Sequence, residues 1–253
     1  MHRLFVRPEQ IDLDTATVCI TDQDHVHLSR VLRARVGEFI ELLDGAGNGY
    51  SATISEIRKR ETVAKIASRF EPLPEPPIHI TVAQAIVRAS KFEEVLQHGT
   101  EAGVSRFIPI EAGRSGVDIP ERRLTERTDR WRSIVKGAAE QSRRSRIPVV
   151  APPTSLKELL DGVKSSQTAS LLLHTGPASV PLKAIVKCLI PAPPSLILLV
   201  GPEGGWSSTE IELAVTHGCL SVSLGQYVLR TETAALVAVS QVLFHFASLE
   251  ESA

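Results

Sequence analysis

The sequence predicts an α/β protein, with a parallel sheet flanked by helices and a small β-rich domain in front of it. From Ile78 onward, apolar runs of strand length alternate with amphipathic segments of helix length, which is the pattern of strand–helix–strand crossovers. Residues 1–71 instead hold short segments that alternate between apolar and polar residues, as half-buried strands do. Four prolines in residues 72–77 favour an extended linker, so we predict domains at 1–71 and 78–253.

The first domain is predicted to be a compact β-barrel. Alternating or apolar runs place its strands at Leu4–Val6, Phe39–Leu43, Tyr50–Ile57 and Thr62–Ser68. The glycine-rich segment Asp44–Gly49 is typical of a hairpin turn, because glycine readily adopts the positive φ that such turns need. The segment Asp24–Val36 predicts a short helix or turn, and it carries Arg30, Arg33 and Arg35.

The second domain opens with strands and helices in alternation. Its first strands are predicted at Ile78–Ala85, Arg106–Ile110, Pro148–Ala151 and Ser170–Leu173. Its first helices are predicted at Lys91–Ala102, Glu121–Ser142 and Ser155–Leu160. Gly103 follows the first helix as a plausible stop. Arg88 and Lys91 stand where the first strand ends, and this makes them candidate phosphate contacts.

The chain from Ser195 onward is the most informative. The apolar strand Ser195–Val200 breaks into a Gly-Pro-Glu-Gly-Gly loop. Ser207 and Glu210 have the spacing of a capping box, which predicts that a helix begins there. A second strand, Leu220–Leu224, ends at a glycine, and an Arg-Thr-Glu-Thr run then opens the last helix.

Two strands that each end in a glycine loop and feed a helix indicate a ligand site. Backbone amides and helix N-termini then lie at one edge of the sheet, where ligands of open α/β sheets usually bind. The spacings of dinucleotide-binding, P-loop and hydrolase-elbow motifs are absent from the sequence. Without further information, the residues support an α/β domain that binds some anionic ligand.

Charge and composition narrow the class of protein. The formal net charge is −1, but the segment from Arg114 to Arg146 holds ten Lys and Arg against five Asp and Glu. Such a basic segment is a usable footprint for nucleic acid on a neutral protein. Three widely spaced cysteines match neither a disulfide framework nor a zinc motif. We therefore expect a cytoplasmic protein with no metal, no signal peptide and no membrane span.

The sequence resembles a known family over nearly its whole length. Residues 201–206 (GPEGGW) and 228–236 (VLRTETAAL) resemble the cofactor-binding end of the SPOUT class of RNA methyltransferases, in particular the family that methylates N3 of a uridine in bacterial 16S ribosomal RNA. The segments HLSRVLRARVGE, KFEEVLQHGTEAGVSRFIPI and RSIVKGAAEQSRRSRIP also resemble that family. One departure is Gln226-Tyr227, where the family usually carries Pro-Arg.

The resemblance implies a fold and an activity. Residues 1–71 would form a PUA-like RNA-binding barrel, and residues 78–253 a SPOUT domain whose C-terminal part is tied in a trefoil knot. The implied enzyme transfers a methyl group from S-adenosylmethionine to ribosomal RNA during ribosome biogenesis. Its implied partners are 16S ribosomal RNA in a small-subunit particle and a second copy of the chain, as a homodimer with each active site near the shared interface.

The resemblance also implies site residues, which fall into three groups. Those expected to hold S-adenosylmethionine are Leu172, Leu173, His174, Val200, Gly201, Pro202, Glu203, Gly204, Gly205, Leu224, Gly225, Val228, Leu229, Arg230, Thr231 and Thr233. The expected catalytic residues are Arg230, which would stabilise a uracil anion, and Glu232, which would act as base, orient Arg230 or cap the last helix. Those expected to bind RNA are Arg3, Arg7, Arg30, Arg33, Arg35, Arg88, Lys91, Arg114 and Arg144.

Two alternatives remain open at the level of the sequence. A SPOUT methyltransferase could act on transfer RNA or on a ribose 2′-hydroxyl. A non-catalytic RNA-binding or ribosome-assembly protein could keep the fold with Tyr227 filling the cofactor cleft. Binding of S-adenosylmethionine separates the second alternative from the enzymes, and mapping of the modified nucleotide separates the enzymes from each other.

Overall fold

The computed structural model describes residues 2–117, 119–163, 168–189 and 193–250 of the chain. The remaining residues of the predicted 78–253 domain lie outside the described part. By its internal contacts the chain divides into two compact units. One holds the described residues up to Glu75 together with Ala139–Ile147; the other holds Pro76–Ala138 and the described residues from Pro148 onward. The division differs from the predicted one in residues 139–147.

The first unit is a small β domain. Its described strands are β1 (His2–Phe5), β2 (Ile11–Asp12), β3 (Thr17–Thr21), β4 (Phe39–Leu43), β5 (Gly49–Ile57) and β6 (Glu61–Phe70). They form one sheet in the order β1-β4-β5-β6-β3-β2, antiparallel except for the parallel pair β1–β4. Alternate residues such as Ile40 and Leu42 are buried on one face, as the period of a strand requires.

Helical segments of this unit are short. A 3₁₀ turn covers Pro8–Gln10, and helix α1 (Asp22–Val26) continues into a π-helical turn at His27–Val31. The helix or turn predicted at Asp24–Val36 is therefore present, but it begins and ends earlier. Strands β2 and β3 were not predicted, since β2 is only two residues long and the five-residue β3 follows a polar stretch.

Glu75 is tied into the first unit, although the sequence predicts only a spacer for residues 72–77. Its carboxylate accepts hydrogen bonds from the side chain of Arg144 and from the backbone N–H groups of Ser145 and Arg146. Arg144 is 9% exposed. The predicted contact of Arg144 with RNA is therefore wrong, because a buried guanidinium paired with a carboxylate cannot reach a phosphate.

We expect Glu75→Gln to lower the free energy of unfolding by about 1 kcal/mol at neutral pH, because the half-buried ion pair is lost while some hydrogen bonds survive. Burial acts to raise the pKa of Glu75, but the hydrogen bonds and charge of Arg144 outweigh it and hold the pKa below its ordinary value of 4.5. The stabilisation is thus present above pH 4.5 and lost as the pH falls through the lowered pKa.

Chemical denaturation at pH 7 and at pH 3 checks this prediction. The exposed Glu71→Gln is the matched control and should leave stability unchanged. A deficit for Glu75→Gln that persists in full at pH 3 would contradict the role of its charge.

The second unit is built on a parallel sheet. Its described strands are β7 (His79–Ala85), β8 (Arg106–Glu111), β9 (Val149–Val150), β10 (Thr154–Ser155), β11 (Thr168–Leu173), β12 (Val180–Pro181), β13 (Ser195–Val200) and β14 (Leu220–Ser223). They lie in the order β10-β8-β7-β13-β11-β14-β12, with β9 beside β8, and every pairing is parallel. This confirms the predicted parallel sheet; the trefoil knot stays a prediction.

Helices connect these strands. They are α2 (Ala89–Ala102), α3 (Leu124–Gln141), α4 (Leu156–Val163), α5 (Leu182–Cys188), α6 (Ser208–Thr216) and α7 (Thr231–Glu250). The predicted helix at Glu121–Ser142 is present, except that its first turn, Glu121–Arg123, is 3₁₀. Helix α5 and the short strands β10 and β12 were not predicted.

The centre of this sheet positions the site. Strand β13 lies between β7 and β11, and β14 pairs with the far side of β11. Leu196, Leu198 and Leu199 of β13 are fully buried, which explains the continuous apolar run of this strand. Because neighbouring strands are parallel, the loops that follow β7, β11, β13 and β14 leave the sheet at the same edge.

Candidate active site

A cavity of about 440 Å³ lies at this carboxyl edge of the sheet. It is formed by the loops after β11, β13 and β14, by the start of α7 and by one side chain of α2. Its lining comprises Lys91, Leu173, His174, Thr175, Val200, Gly201, Pro202, Glu203, Gly205, Trp206, Val222, Leu224, Tyr227, Val228, Leu229, Arg230, Thr231 and Ala234.

The loop after β13 is held by its own hydrogen bonds. The Gly205 N–H donates to the Pro202 carbonyl at 2.9 Å, and the φ of Gly205 is +67°, which favours glycine. Helix α6 then begins with the predicted capping box, in which Ser207 Oγ accepts from the Glu210 N–H while Glu210 Oε2 accepts from the Ser207 N–H. The turn and the cap together fix the backbone that lines the cavity.

Glu210 also connects this cap to the loop that follows β8. Its Oε1 accepts the Gly113 N–H at 2.9 Å. Burial acts to raise the pKa of Glu210, but the N–H groups of Ser207 and Gly113 outweigh it and lower the pKa. Glu210 is therefore an anion at neutral pH, and it sits at the positive N-terminus of α6, where an anion stabilises a helix.

The glycines of this loop have different roles. Gly204 does not line the cavity: a Cβ on it would lie 3.2 Å from Arg114 Cβ and 3.3 Å from the Arg114 carbonyl oxygen. Gly204 is among the residues expected from the sequence to hold S-adenosylmethionine, but its close neighbour is the loop that follows β8. Gly201 does line the cavity, and a Cβ there would lie 3.0 Å from the indole nitrogen of Trp206.

Thr231, the first residue of α7, joins the strand ends at the floor of the cavity. Its hydroxyl donates to the Gly201 carbonyl at 2.6 Å and accepts from Gln84 Nε2 at 2.9 Å. Gln84 Nε2 also donates to the Ala85 carbonyl at 3.0 Å. Thr231 and Gln84 are both buried, so these bonds connect β7, the loop after β13 and α7 away from water.

Charged side chains meet at the side of the cavity. Lys91 Nζ lies 2.5 Å from Glu203 Oε1 and 3.9 Å from Glu232 Oε1. The hydrogen bond and the charge of Lys91 lower the pKa of Glu203, and Arg88 and Arg230 add to this effect. A cation in the first turn of α2 is unfavourable for the helix dipole, and Lys91 is instead paired with Glu203, which also lines the cavity.

Arg230 and Glu232 are placed differently. Arg230 is exposed and lines the cavity, and its guanidinium forms no hydrogen bond or ion pair with another described residue. Glu232 does not line the cavity, and its side chain is 13% exposed. Its buried Oε2 has no hydrogen-bond partner among the described residues. Glu232 thus lies outside the cavity lining and close to Lys91, whereas Arg230 is part of the lining.

Most of the residues expected to hold a cofactor line this cavity. Leu172, Gly204, Gly225 and Thr233 do not; the other predicted positions do. Sequence reasoning did not place Lys91, Thr175, Trp206, Val222 or Ala234 there, and it placed Tyr227 there only in the non-catalytic alternative. The Tyr227 side chain is 75% exposed at the rim, so it does not fill the cleft as the non-catalytic alternative required.

The residues expected to bind RNA divide into free and paired cations. Arg30, Arg33, Arg35 and Arg88 are exposed, and their guanidinium groups form no hydrogen bond or ion pair within the described ranges. The others are engaged: Arg3 with Glu41, Arg7 with Asp22, Lys91 with Glu203, Arg144 with Glu75, and Arg114 with the carbonyls of Gly204 and Trp206. The four arginines without a partner within the described ranges are therefore the better candidates for phosphate contacts.

Two further properties concern metals and membranes. In the part of the chain that the structure describes, no three His, Cys, Asp or Glu side chains are grouped so that they could hold a metal ion. No helix within the same residues combines the length and apolar character needed to cross a bilayer.

Comparison with known proteins identifies relatives across both units. Residues 74–243 match the family model of an RNA methyltransferase domain, and residues 20–67 match that of an RNA methyltransferase PUA domain. The chain is 36% identical to ribosomal RNA small subunit methyltransferase E of Synechocystis, over 95% of this chain and 77% of the relative. It is 28% identical to the protein of that name from Bacillus subtilis, over 96% of each.

A solved structure shows the same fold. The crystal structure of a ribosomal RNA small subunit methyltransferase E from Neisseria gonorrhoeae, bound to S-adenosyl methionine, superposes with a TM-score of 0.85. That protein is 32% identical to this chain, and the match covers 97% of this chain and 98% of the other.

Proposed function

Because the chain belongs to the ribosomal RNA small subunit methyltransferase E family of RNA methyltransferases, we propose that it transfers a methyl group from S-adenosylmethionine to N3 of a uridine in 16S ribosomal RNA. The observation that carries this proposal is the cavity at the carboxyl edge of the parallel sheet. Its lining includes both glycine loops and the exposed Arg230.

The cavity fits S-adenosylmethionine. Its volume of about 440 Å³ lies within the range of roughly 300–1,000 Å³ that is typical of small-molecule sites. Gly201 and Gly205 offer backbone without a Cβ, while leucines and valines of the lining suit the apolar parts of a nucleoside. When bound, S-adenosylmethionine supplies a methyl group on a sulfonium that is a good leaving group.

The residues of the chain position the target base and stabilise the negative charge that develops on it. N3 lies on the Watson–Crick edge of uracil, so the target base must be unpaired or flipped out to reach the cavity. N3 also carries a proton that must leave, and negative charge then develops on the uracil. Arg230 lines the cavity and forms no hydrogen bond or ion pair with another described residue, and its guanidinium stabilises that charge. Glu232 acts behind Lys91 as a positioning residue, not as the base.

RNA binding is assigned to the free cations. We expect the triple variant Arg30→Gln, Arg33→Gln, Arg35→Gln to reduce the slope of log affinity against log salt by up to about one unit for each lost phosphate contact. Arg58→Gln is the control, since Arg58 is already paired with Glu56 and Glu61. Binding of an rRNA fragment between low and high salt gives the slope, and an unchanged slope would mean that the three arginines are solvated surface only.

We also propose a homodimer in the cytoplasm. Large apolar side chains remain exposed in the second unit, among them Tyr227, Val228 and Phe244. A second copy of the chain would remove such surface from water. Sedimentation velocity at micromolar concentration should give twice the chain mass; a monomer at that concentration would contradict the proposal.

The activity itself is tested by methyl transfer. Purified protein and labelled S-adenosylmethionine are incubated with small-subunit particles and, separately, with naked 16S rRNA and transfer RNA, and the product is mapped by mass spectrometry. A methyl group on N3 of one 16S uridine supports the proposal. A methyl group on transfer RNA or on a ribose 2′-hydroxyl would overturn it in favour of another RNA methyltransferase, and absence of cofactor binding would favour a non-catalytic protein.

A further inference from the structure

The first unit has a cavity of its own. Its volume is about 490 Å³, and it is formed by helix α1 and by the turn between β5 and β6. This volume lies within the range of roughly 300–1,000 Å³ that is typical of small-molecule sites. The lining comprises Asp22, Gln23, His25, Val26, Lys59 and Arg60. None of these residues has a part in the chemistry at Arg230, so the cavity calls for a separate account.

His25 is the buried polar side chain of this lining. It is 6% exposed, and its Nδ1 lies 2.9 Å from the hydroxyl oxygen of Thr62, which is itself fully buried. A threonine hydroxyl has one proton to donate, and Nδ1 is the acceptor that the described residues offer it. The arrangement that leaves no buried hydrogen unpaired is therefore donation from Thr62 to Nδ1. The neutral ring then carries its own proton on Nε2.

The second ring nitrogen of His25 is left for a ligand. Nε2 forms no hydrogen bond or ion pair with another described residue. It is also not one of the buried side-chain atoms that lack a partner, so it retains contact with solvent. Because His25 lines the cavity, an otherwise buried side chain presents one N–H donor there.

The charged groups that remain open in this lining are positive. Lys59 and Arg60 are exposed, and neither forms a hydrogen bond or ion pair within the described ranges. The carboxylate of the lining is already engaged, since Asp22 Oδ2 accepts from the Arg7 guanidinium and from the Thr21 hydroxyl, each at 3.0 Å. Two free cations beside an N–H donor favour a ligand with anionic oxygens, such as a phosphate group.

We propose that this cavity binds one nucleotide of the RNA substrate through its phosphate group. The inference rests on the proposed function, which supplies the RNA. Lys59 and Arg60 contact the phosphate oxygens, and His25 Nε2–H donates to an oxygen of the same nucleotide. A phosphate alone has five heavy atoms and would fill a small part of about 490 Å³. The exposed side chain of Val26 offers apolar surface to the sugar or base.

Uridine 5′-monophosphate, added to the full ¹⁵N-labelled chain, tests the site. We expect the nucleotide to shift the His25 ring signals in a saturable way, and those of the free protein to place the proton on Nε2. Uridine without phosphate should give no shift. The double variant Lys59→Gln, Arg60→Gln should raise the Kd at least tenfold, the scale of one charge-assisted hydrogen bond. Inorganic phosphate with the same Kd as the nucleotide would overturn the part assigned to the sugar and base.

An rRNA fragment tests whether the nucleotide belongs to RNA. The fragment should shift the same His25 signals, and the double variant should bind it about tenfold more weakly at one fixed salt concentration. The matched control is Arg130→Gln, Lys157→Gln, which removes the same charge from two exposed side chains already paired with Glu93 and Asp161. This control should bind the fragment within about twofold of the wild type.

The outcomes separate the cavity from the proposed function. Equal affinity of the two double variants for RNA would overturn RNA as the source of the nucleotide. Unchanged His25 signals with both probes, although the fragment binds, would overturn the cavity as a site and leave the proposed function intact. A fragment that is neither bound nor methylated by the wild type would instead overturn the proposed function.

Discussion

Arg230→Ala should reduce the turnover of methyl transfer by roughly 10²-fold or more, while S-adenosylmethionine still binds. Loss of one donor aimed at developing charge has an effect of this size. The guanidinium lines the cavity and, although its charge acts on Glu203, it forms no hydrogen bond or ion pair with another described residue, so its N–H groups are available to the uracil. Cofactor binding should survive, because the substitution leaves the glycine-loop backbone that lines the cavity unchanged.

Single-turnover kinetics and calorimetry on one preparation separate these effects. Arg230→Lys keeps the charge and should recover part of the rate. Arg130→Ala is the matched control, since Arg130 is an exposed arginine of the same unit that is bound to Glu93 away from the cavity. Turnover of Arg230→Ala near that of the wild type would remove Arg230 from the chemistry. A large loss of cofactor affinity would instead place its guanidinium on the cofactor.

Thr231→Val should lower the free energy of unfolding by about 2–3 kcal/mol and weaken cofactor binding at least tenfold. Valine has nearly the shape of threonine, so the change removes the hydroxyl and little else. The Gly201 carbonyl and Gln84 Nε2 then each lose a buried partner, which costs more than an ordinary hydrogen bond contributes. Affinity falls because the backbone of the loop after β13 is no longer held at Gly201.

Thr233→Val, two residues further along α7, is the matched control for Thr231→Val. Thr233 lies in the first turn of α7 but is exposed and does not line the cavity. Thr233→Val should therefore leave both stability and affinity within error of the wild type. Equal denaturation midpoints for the two valine variants would show that the buried network at Thr231 adds nothing to stability.

Local rules of sequence predicted the parts of this site that depend on neighbouring residues. The apolar run of β13, the capping box of Ser207 and Glu210, and the glycine loop between them require nothing from the rest of the chain. Helix α5 was missed because its seven residues lie between prolines and carry too little periodicity. The predicted parallel sheet followed from alternation, but the order of its strands did not.

Contacts between distant residues set the limit of the prediction. Arg144 looks like one cation of a basic segment, and only the fold shows that Glu75, 69 residues earlier, neutralises it. Gly204 looks like part of a ligand cradle, yet its close neighbour is Arg114, 90 residues away. Lys91 precedes the glycine loops by more than a hundred residues, and nothing in their spacing places it in the cavity.

The bond between Gln84 and Thr231 also bears on how the second unit folds. It joins residues that are 147 positions apart, and β7 likewise pairs with the distant β13. Contacts of such sequence separation require closure of long loops before they contribute, so we expect them to form late in folding. The cavity, which these contacts complete, is then expected to form after that step. A saturating ligand should therefore slow the unfolding of the finished unit and leave its rate of folding unchanged.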